Sequence, residues 1–361
     1  MDVKHRYGLT AILFIVLLFV QPASSYIYGE PSPEDTQAIL QKTLSIVEID
    51  HEIERITARQ KELTKQYETL SAQLLQQEKE IHIQQDRAGA VVRSYYTGER
   101  DSLLMSVLGA RSFKDLFILY DYYQIIIGKD QAVLDKYQTR YDELQRTSDQ
   151  IRKTSIELTE MKTNLQNQRT RVASLQKEMD EQITASGNAA AIQKLMNELT
   201  LYWENIGIYE VKRYFKALAS AMQNLPDFIQ KQNGTIATTG TTYTIRIGQD
   251  ELNTFLRSQN VLFEDFAFTF DQDKITASGQ RDQLQLSIEG HYTVENEPQN
   301  AIRFHVDKLV FNQLELPDTT RNMLEKEFDL GFYPQKIISF VKATDVSTDE
   351  GILEVKLAIS F

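Results

Sequence analysis

Histidine and carboxylate are the side chains best able to do chemistry in this chain, because cysteine is absent. That absence removes thiolate nucleophiles, disulfides and Cys-ligated metals, and with them the acylated cysteine of a bacterial lipoprotein. Beyond the first few residues the histidines are His51, His82, His291 and His305. A zinc site needs ligands that converge at close spacing. His51 and His82 fall off or beside the apolar seam of a long repeat and read as solvated. His291 and His305 lie in separate strand patterns and can meet across neighbouring strands, but no ligand set of recognisable spacing accompanies them. Asp271 and Asp273, on either side of Gln272, suit turn chemistry. A glycosidase pair would have to face a cleft at a set distance. No catalytic residue, metal site or cofactor is expected, and the chain reads as a non-enzyme.

Apolar chemistry is more informative. Between Arg87 and Tyr137 two heptad rhythms break off, and the interruption holds Leu103, Leu104, Val107, Leu108, Phe113, Leu116, Phe117 and Leu119. These overfill what a short helical tip can bury. The candidates for partner binding are therefore Leu104, Val107, Leu108, Phe113, Leu116 and Phe117. The plainer reading makes Ser112-Phe113-Lys114-Asp115 a helix start over a small tip core, and both can hold together. Tyr120, Tyr122 and Tyr123 with Ile125, Ile126 and Ile127 read as a buried helix face, or alternatively as membrane contact or a second partner face. Phe255, Phe263, Phe266, Phe268 and Phe270 form a second aromatic set, read either as sheet core or as the lining of a lipid groove. Trp203 reads as core.

The elements that must position these residues follow from spacing. Pro33-Glu34-Asp35 opens a helix with carboxylates at its positive end. From Ile46 a seam of alternating three- and four-residue steps passes through Ile49, Ile53, Ile56, Leu63, Tyr67, Leu70, Leu74 and Ile81 to Ala88, a coiled-coil signal. At about 1.5 Å per residue that arm is some 60 Å long. A second seam recurs every seven residues from Tyr137 through Leu144, Ile151, Leu158, Leu165 and Val172 to Met179. Its alternate positions begin apolar at Leu134 and Tyr141 and turn polar at Ser148, Ser155, Lys162, Arg169 and Gln176. So thin a stripe is weak against itself and suits the richer first arm. An antiparallel coiled-coil hairpin over 33–186, with its tip at 89–130, is expected, and a parallel dimer is the alternative.

A breaker cluster at Thr184 to Asn188 ends the arm. A helical linker over 187–233 follows, with two helices separated at Asn205 to Gly207 and the second ended by Pro226. Over 234–361 alternating apolar residues predict strands at Tyr243–Ile247, Phe263–Phe270, Ile275–Ser278, Leu284–Val294, Ile302–Phe311, Ile337–Val341 and Ile352–Ile359. Helices are expected around Leu252 to Leu256 and Met323 to Phe328. The fold class is α+β, the last part a curved antiparallel sheet with packed helices.

Net charge bears on partners. At −12 the chain is unsuited to nucleic acid, where Lys and Arg neutralise phosphates, and to broad adhesion on anionic lipid. Lys4, His5 and Arg6 precede an apolar run from Leu9 to Val20, and Ala23 and Ser25 stand at the −3 and −1 places of a cut before Tyr26. Residues 1–25 read as a secretory signal peptide, with an uncleaved anchor as the alternative. An exported, extracytoplasmic protein of a bacterial cell envelope is expected.

The tip residues Arg87, Ala88, Tyr95, Tyr96, Gly98, Leu103, Leu104, Val107, Leu108, Gly109, Ala110, Ser112, Phe113, Asp115 and Leu116, continued by Ile126, Ile127 and Asp130, resemble the tip motif of PcsB/EnvC-type regulators of peptidoglycan hydrolysis. The likeness runs from about Pro33 to Met179. It implies docking on a membrane-embedded division-complex protein of the FtsX type, and control of a peptidoglycan hydrolase acting in trans. The chain departs from that family in lacking the residues of a hydrolase domain. Ile247, Glu251, Leu252, Asn253 and Leu256, with Leu314, Leu316 and Pro317, more faintly resemble exported lipid-binding domains of the YpmS and LmeA-like type. That likeness covers about 240–361 and implies a groove for phospholipid acyl chains, so the alternative function is a lipid-binding or lipid-transfer protein with the coiled coil as spacer.

Overall fold

The computed structural model describes residues 33–232, 234–240, 242–281 and 284–360. The signal peptide read over residues 1–25 lies outside them. Two compact units are present: one holds residues 46–175 with 317–323, and the other holds the remaining described residues.

The first unit is built on two long helices. Helix α1 spans Pro33–Tyr96 and α3 spans Phe113–Ala185, and the ten-residue α2, Glu99–Leu108, lies between them. Neither long helix contains an internal proline, and Glu34 and Asp35 sit in the first turn of α1, where the positive end of the helix dipole favours them. Within this unit Arg59 pairs with Glu157 at 3.5 Å and Arg140 with Glu80 at 3.8 Å. The partners therefore descend along α3 as they ascend along α1.

Much of the expected seam of α1 is inward: Ile49, Ile56, Leu63, Ile81 and Ala88 are buried and Ile53, Leu70 and Leu74 half-buried, but Tyr67 is exposed. The alternate seam of α3 needs correction. Thr147 and Thr154 are buried, whereas Tyr141, Ser148, Ser155, Lys162 and Arg169 are exposed. The inward rows are thus the heptad positions and those three residues later, not four. Threonine hides its polarity by bonding within its own helix, as Thr147 Oγ1 does to Glu143 O at 3.0 Å, and it presents its methyl group to the seam. The stripe on α3, with Met161 and Leu175 added, is less polar than the other reading makes it.

The expected tip, 89–130, contains the breaks between the helices. Helical structure is interrupted only at residues 97–98 and 109–112. At the first break Gly98 takes φ 79°, a conformation that glycine adopts without strain.

In the second unit α4, Ala189–Tyr202, passes through a π-turn, Trp203–Gly207, into α5, Ile208–Lys231. The expected separation at Asn205 to Gly207 is therefore a local widening of one helix. A Cβ on Gly207 would stand 2.5 Å from Trp203 Cε3, so glycine is required where the fully buried indole lies against the backbone. Pro226 does not end α5. It is buried inside the helix together with Leu225 and Ile229, and that packing outweighs the roughly 3 kcal/mol an interior proline costs.

One curved sheet was expected, but two antiparallel sheets are found. The first has the order β1-β2-β9-β8 and the second β3-β4-β5-β6-β7. Strand β1 spans Ile236–Thr239 and β2 Thr242–Gly248. Helix α6, Gln249–Gln259, leads to β3, Phe266–Asp271, and β4, Lys274–Arg281. The long pair β5, Leu284–Glu295, and β6, Ala301–Phe311, is followed by the short β7, Leu314–Glu315, and by α7, Asp318–Glu327. Strands β8, Val341–Asp349, and β9, Ile352–Ile359, complete the first sheet by pairing β9 with β2. Reading a strand at Ile337–Val341 was wrong by almost its whole length. The apolar run Ile337 to Phe340 is not a strand, and the strand begins at Val341 and runs through polar residues. Its place is set by register with β9, Val341 opposite Ile359 and Thr348 opposite Leu353, not by its own alternation.

Two buried asparagines tie this unit together. Asn253 donates from Nδ2 to Phe268 O at 2.8 Å and accepts from Phe268 N at 2.7 Å, fixing α6 to β3. Asn300 does the same to Ala343, at 3.1 and 2.7 Å, and so joins β8 to the segment before β6.

Candidate functional site: an exposed apolar tip

Local sequence builds the tip. Ser112 starts α3: its Oγ accepts from Asp115 N at 3.1 Å and donates to Asp115 Oδ2 at 2.7 Å, satisfying a helix N-terminus that would otherwise be bare. Helix α2 ends at Gly109, whose N–H reaches Met105 O at 2.9 Å. A ten-residue helix is marginal alone, so it needs an anchor, and the anchor is ionic. Arg100 on α2 grips Asp130 on α3 with two parallel bonds, Nη2 to Oδ1 at 2.9 Å and Nε to Oδ2. The Asp130 side chain is nearly buried, and the guanidinium also lies 5.9 Å above the Tyr95 ring. Sequence reading included Asp130 in a motif but missed Arg100. Nothing in the local pattern pointed to Arg100, because Asp130 stands beside Lys129 in Gly128-Lys129-Asp130-Gln131 and its partner lies thirty residues away.

The six candidate partner-binding residues divide. Val107 is 6% exposed and is the apolar pin of α2, so it is unavailable to a partner without local opening. Leu116 is half-buried. Leu104, Leu108, Phe113 and Phe117 face solvent, Phe113 at 82% exposure and Leu108 at 69%. Exposure extends further than the sequence reading: Tyr95, Tyr96, Met105, Ile118, Tyr120, Tyr122 and Ile125 are exposed as well, Tyr96 at 94%. The Tyr120 to Ile127 run reads as a buried face, or alternatively as membrane contact or a second partner face. Only its Tyr123, Ile126 and Ile127 side is half-buried, and the other sides are open.

The aromatic set of the second unit is packed. Phe255, Phe263, Phe266, Phe268 and Phe270 are all buried. Phe263 meets Phe266 at a ring separation of 6.3 Å, Phe266 meets Phe268 at 5.8 Å, and Phe255 meets Phe228 at 4.7 Å. Trp203 lies edge-on to Phe311 at 5.2 Å. These are core contacts, and these rings present no exposed apolar face.

His291 and His305 do meet across β5 and β6, with rings 5.5 Å apart. One nitrogen of each is hydrogen-bonded: His291 Nδ1 with Asp307 Oδ2 at 2.7 Å, and His305 Nε2 with Thr293 Oγ1 at 2.8 Å. Among the described residues no group of three or more His, Asp or Glu is arranged to hold a metal ion. Asp273 adopts φ 54° in the β3–β4 turn, the turn role read for it. Also among the described residues, no helix is long and apolar enough to cross a membrane. Compared with protein-family models, with curated proteins and with solved structures, the chain matches none.

Proposed function

We propose that this protein is a non-enzymatic scaffold of the bacterial envelope, in which α1 and α3 form an antiparallel coiled-coil hairpin. Its tip docks a membrane-embedded partner of the FtsX type and so localises or activates a peptidoglycan hydrolase acting in trans. The observation that carries the reading is the exposure of Leu104, Leu108, Phe113 and Phe117 together at one break between two long helices. Exposed apolar side chains clustered in one place mark an interaction site, and a helix pair that ends in one is built to present it. The opposed ion pairs Arg59–Glu157 and Arg140–Glu80 support the hairpin. The resemblance of the tip residues to PcsB/EnvC-type regulators supplies the partner class.

The test is capture of the full chain by immobilised extracellular loops of an FtsX-type protein, with Leu108→Glu and Phe113→Glu as tip variants. Both positions are exposed, so the substitutions leave the fold intact. Strong capture of the parent chain and loss in both variants is expected. Equal capture of all three would sink the docking role.

A further inference from the structure

Exposed apolar side chains surround the start of α3 instead of lying along one face. At about 100° per residue, Phe113, Phe117 and Tyr120 fall on one side of its first turns, and Ile118, Tyr122 and Ile125 fall on nearly the opposite side. All of them are exposed. A flat protein footprint covers one side of a helix. Lys114, Asp115, Asp121 and Gln124 are exposed among these residues, so the surroundings that fit are part apolar and part wet, as at a membrane interface.

Residue types and charge narrow those surroundings. Tyr95, Tyr96, Tyr120 and Tyr122 are amphipathic rings suited to the headgroup boundary, and Leu104, Met105, Leu108, Phe113 and Phe117 are suited to the acyl region beneath it. Residues 93–125, which hold every side chain named here, carry Arg93, Arg100, Arg111 and Lys114 against Glu99, Asp101, Asp115 and Asp121. That leaves the segment without net charge, in a chain of net charge −12. This stretch is therefore not repelled by an anionic surface that repels the rest of the chain. The described residues contain no helix able to span a bilayer, so entry stops at the interface.

We infer that the tip, α2 with the first turns of α3, inserts directly into the interfacial layer of an anionic phospholipid bilayer. This goes beyond docking on a membrane protein and stands without it. The probe is the full chain with vesicles of mixed phosphatidylethanolamine and phosphatidylglycerol that contain no protein. The chain has one tryptophan, and Trp203 is fully buried, so a Phe113→Trp variant reports the tip.

Expected results are co-sedimentation of the parent chain, a blue shift of the new tryptophan, and its quenching by lipids brominated in the acyl chain. Replacing Phe113 and Phe117 together by serine should lower the bound fraction at least about tenfold, as loss of two inserted rings implies. Ile156→Ser, at another exposed position of α3, should bind like the parent. Binding should survive about 1 M salt, where the Debye length is only ~3 Å. Absence of vesicle binding, parent-like binding by the double serine variant with unchanged helicity, or loss of binding at high salt would each overturn the inference. Vesicle binding without capture by FtsX-type loops would refute the protein partner alone, and capture without vesicle binding would refute the lipid contact alone.

Discussion

Removing Arg100 should release α2 while leaving the two long helices in place, and the effect should be larger than that of removing its partner. The Asp130 side chain is 8% exposed and the Arg100 side chain 20%. Arg100→Ala strands a nearly buried carboxylate that had accepted two charge-assisted bonds. Asp130→Ala strands a guanidinium on a long stem, which can swing into water. Breaking a fully buried pair from one side costs roughly 3–5 kcal/mol, and hydrogen bonds to charged groups are worth about 1.5–3 kcal/mol. The pair here is only partly buried, so the lower range applies. We expect about 2 kcal/mol for Arg100→Ala and about half that for Asp130→Ala. The assay must be local, because a chain of two compact units does not unfold in one step. Hydrogen exchange followed by mass spectrometry reads α2 directly, and 2 kcal/mol corresponds to about a thirtyfold loss of protection there. A double-mutant cycle with the Arg100→Ala/Asp130→Ala chain should return a coupling of roughly 1–2 kcal/mol. Unchanged exchange in α2 for Arg100→Ala, or a larger effect from Asp130→Ala, would refute the asymmetry and the anchoring role with it.

Gly89 and Gly128 sit inside α1 and α3, and a Cβ added at either would meet nothing within 4 Å, so alanine at each should stabilise its helix by about 0.5–1 kcal/mol, seen as slower local exchange. At Gly207 a Cβ would instead fall 2.5 Å from Trp203 Cε3, and Gly207→Ala should cost about 1–3 kcal/mol by overpacking and shift the Trp203 emission. Burial pushes the Tyr292 phenol up to about 12 from its ordinary value of 10.0. The folded state holds that proton more tightly than the unfolded chain, so its contribution is fully present below pH 10 and is lost as pH rises towards 12. Alkaline unfolding should therefore steepen in that window by on the order of 2 kcal/mol, and Tyr292→Phe should remove that increment.

How far the sequence could be read depended on which interaction decides each element. The seam of α1 was legible because bulky aliphatics mark it at Ile49, Ile56 and Leu63. Its counterpart on α3 was misplaced by one residue because threonine counts as polar in a pattern, yet Thr154 behaves as an apolar side chain once buried. Strand β6 was legible from its own alternation, whereas β8 was not. Its inward residues are Val341, Ala343 and Thr348, too weak a pattern to outbid the apolar Ile337 to Phe340. What places β8 is pairing with β9, a contact no local window contains. The same holds for Pro226, whose local rule is broken by packing of the α5 face.

The tip poses the opposite case, since local reading found the residues and underestimated their exposure. An apolar segment is normally explained by what it buries. Here Val107 and the Arg100–Asp130 pair provide the attachment of α2, so Phe113, Tyr96 and Leu108 are not needed to hold it. Each exposed large apolar side chain adds a hazard of aggregation without return to the folded state. Serine or lysine at Phe113 would serve α3 equally well, because the N-terminal cap is made by Ser112 and Asp115. The fold therefore does not account for these residues, and an external surface does. If that surface exists, changing Phe113 to serine should leave α2 exchange and thermal stability within about 0.5 kcal/mol of the parent chain while weakening docking or vesicle binding. A stability loss well above that figure would show instead that Phe113 belongs to the core of the tip, and would remove the main argument for a docking surface there.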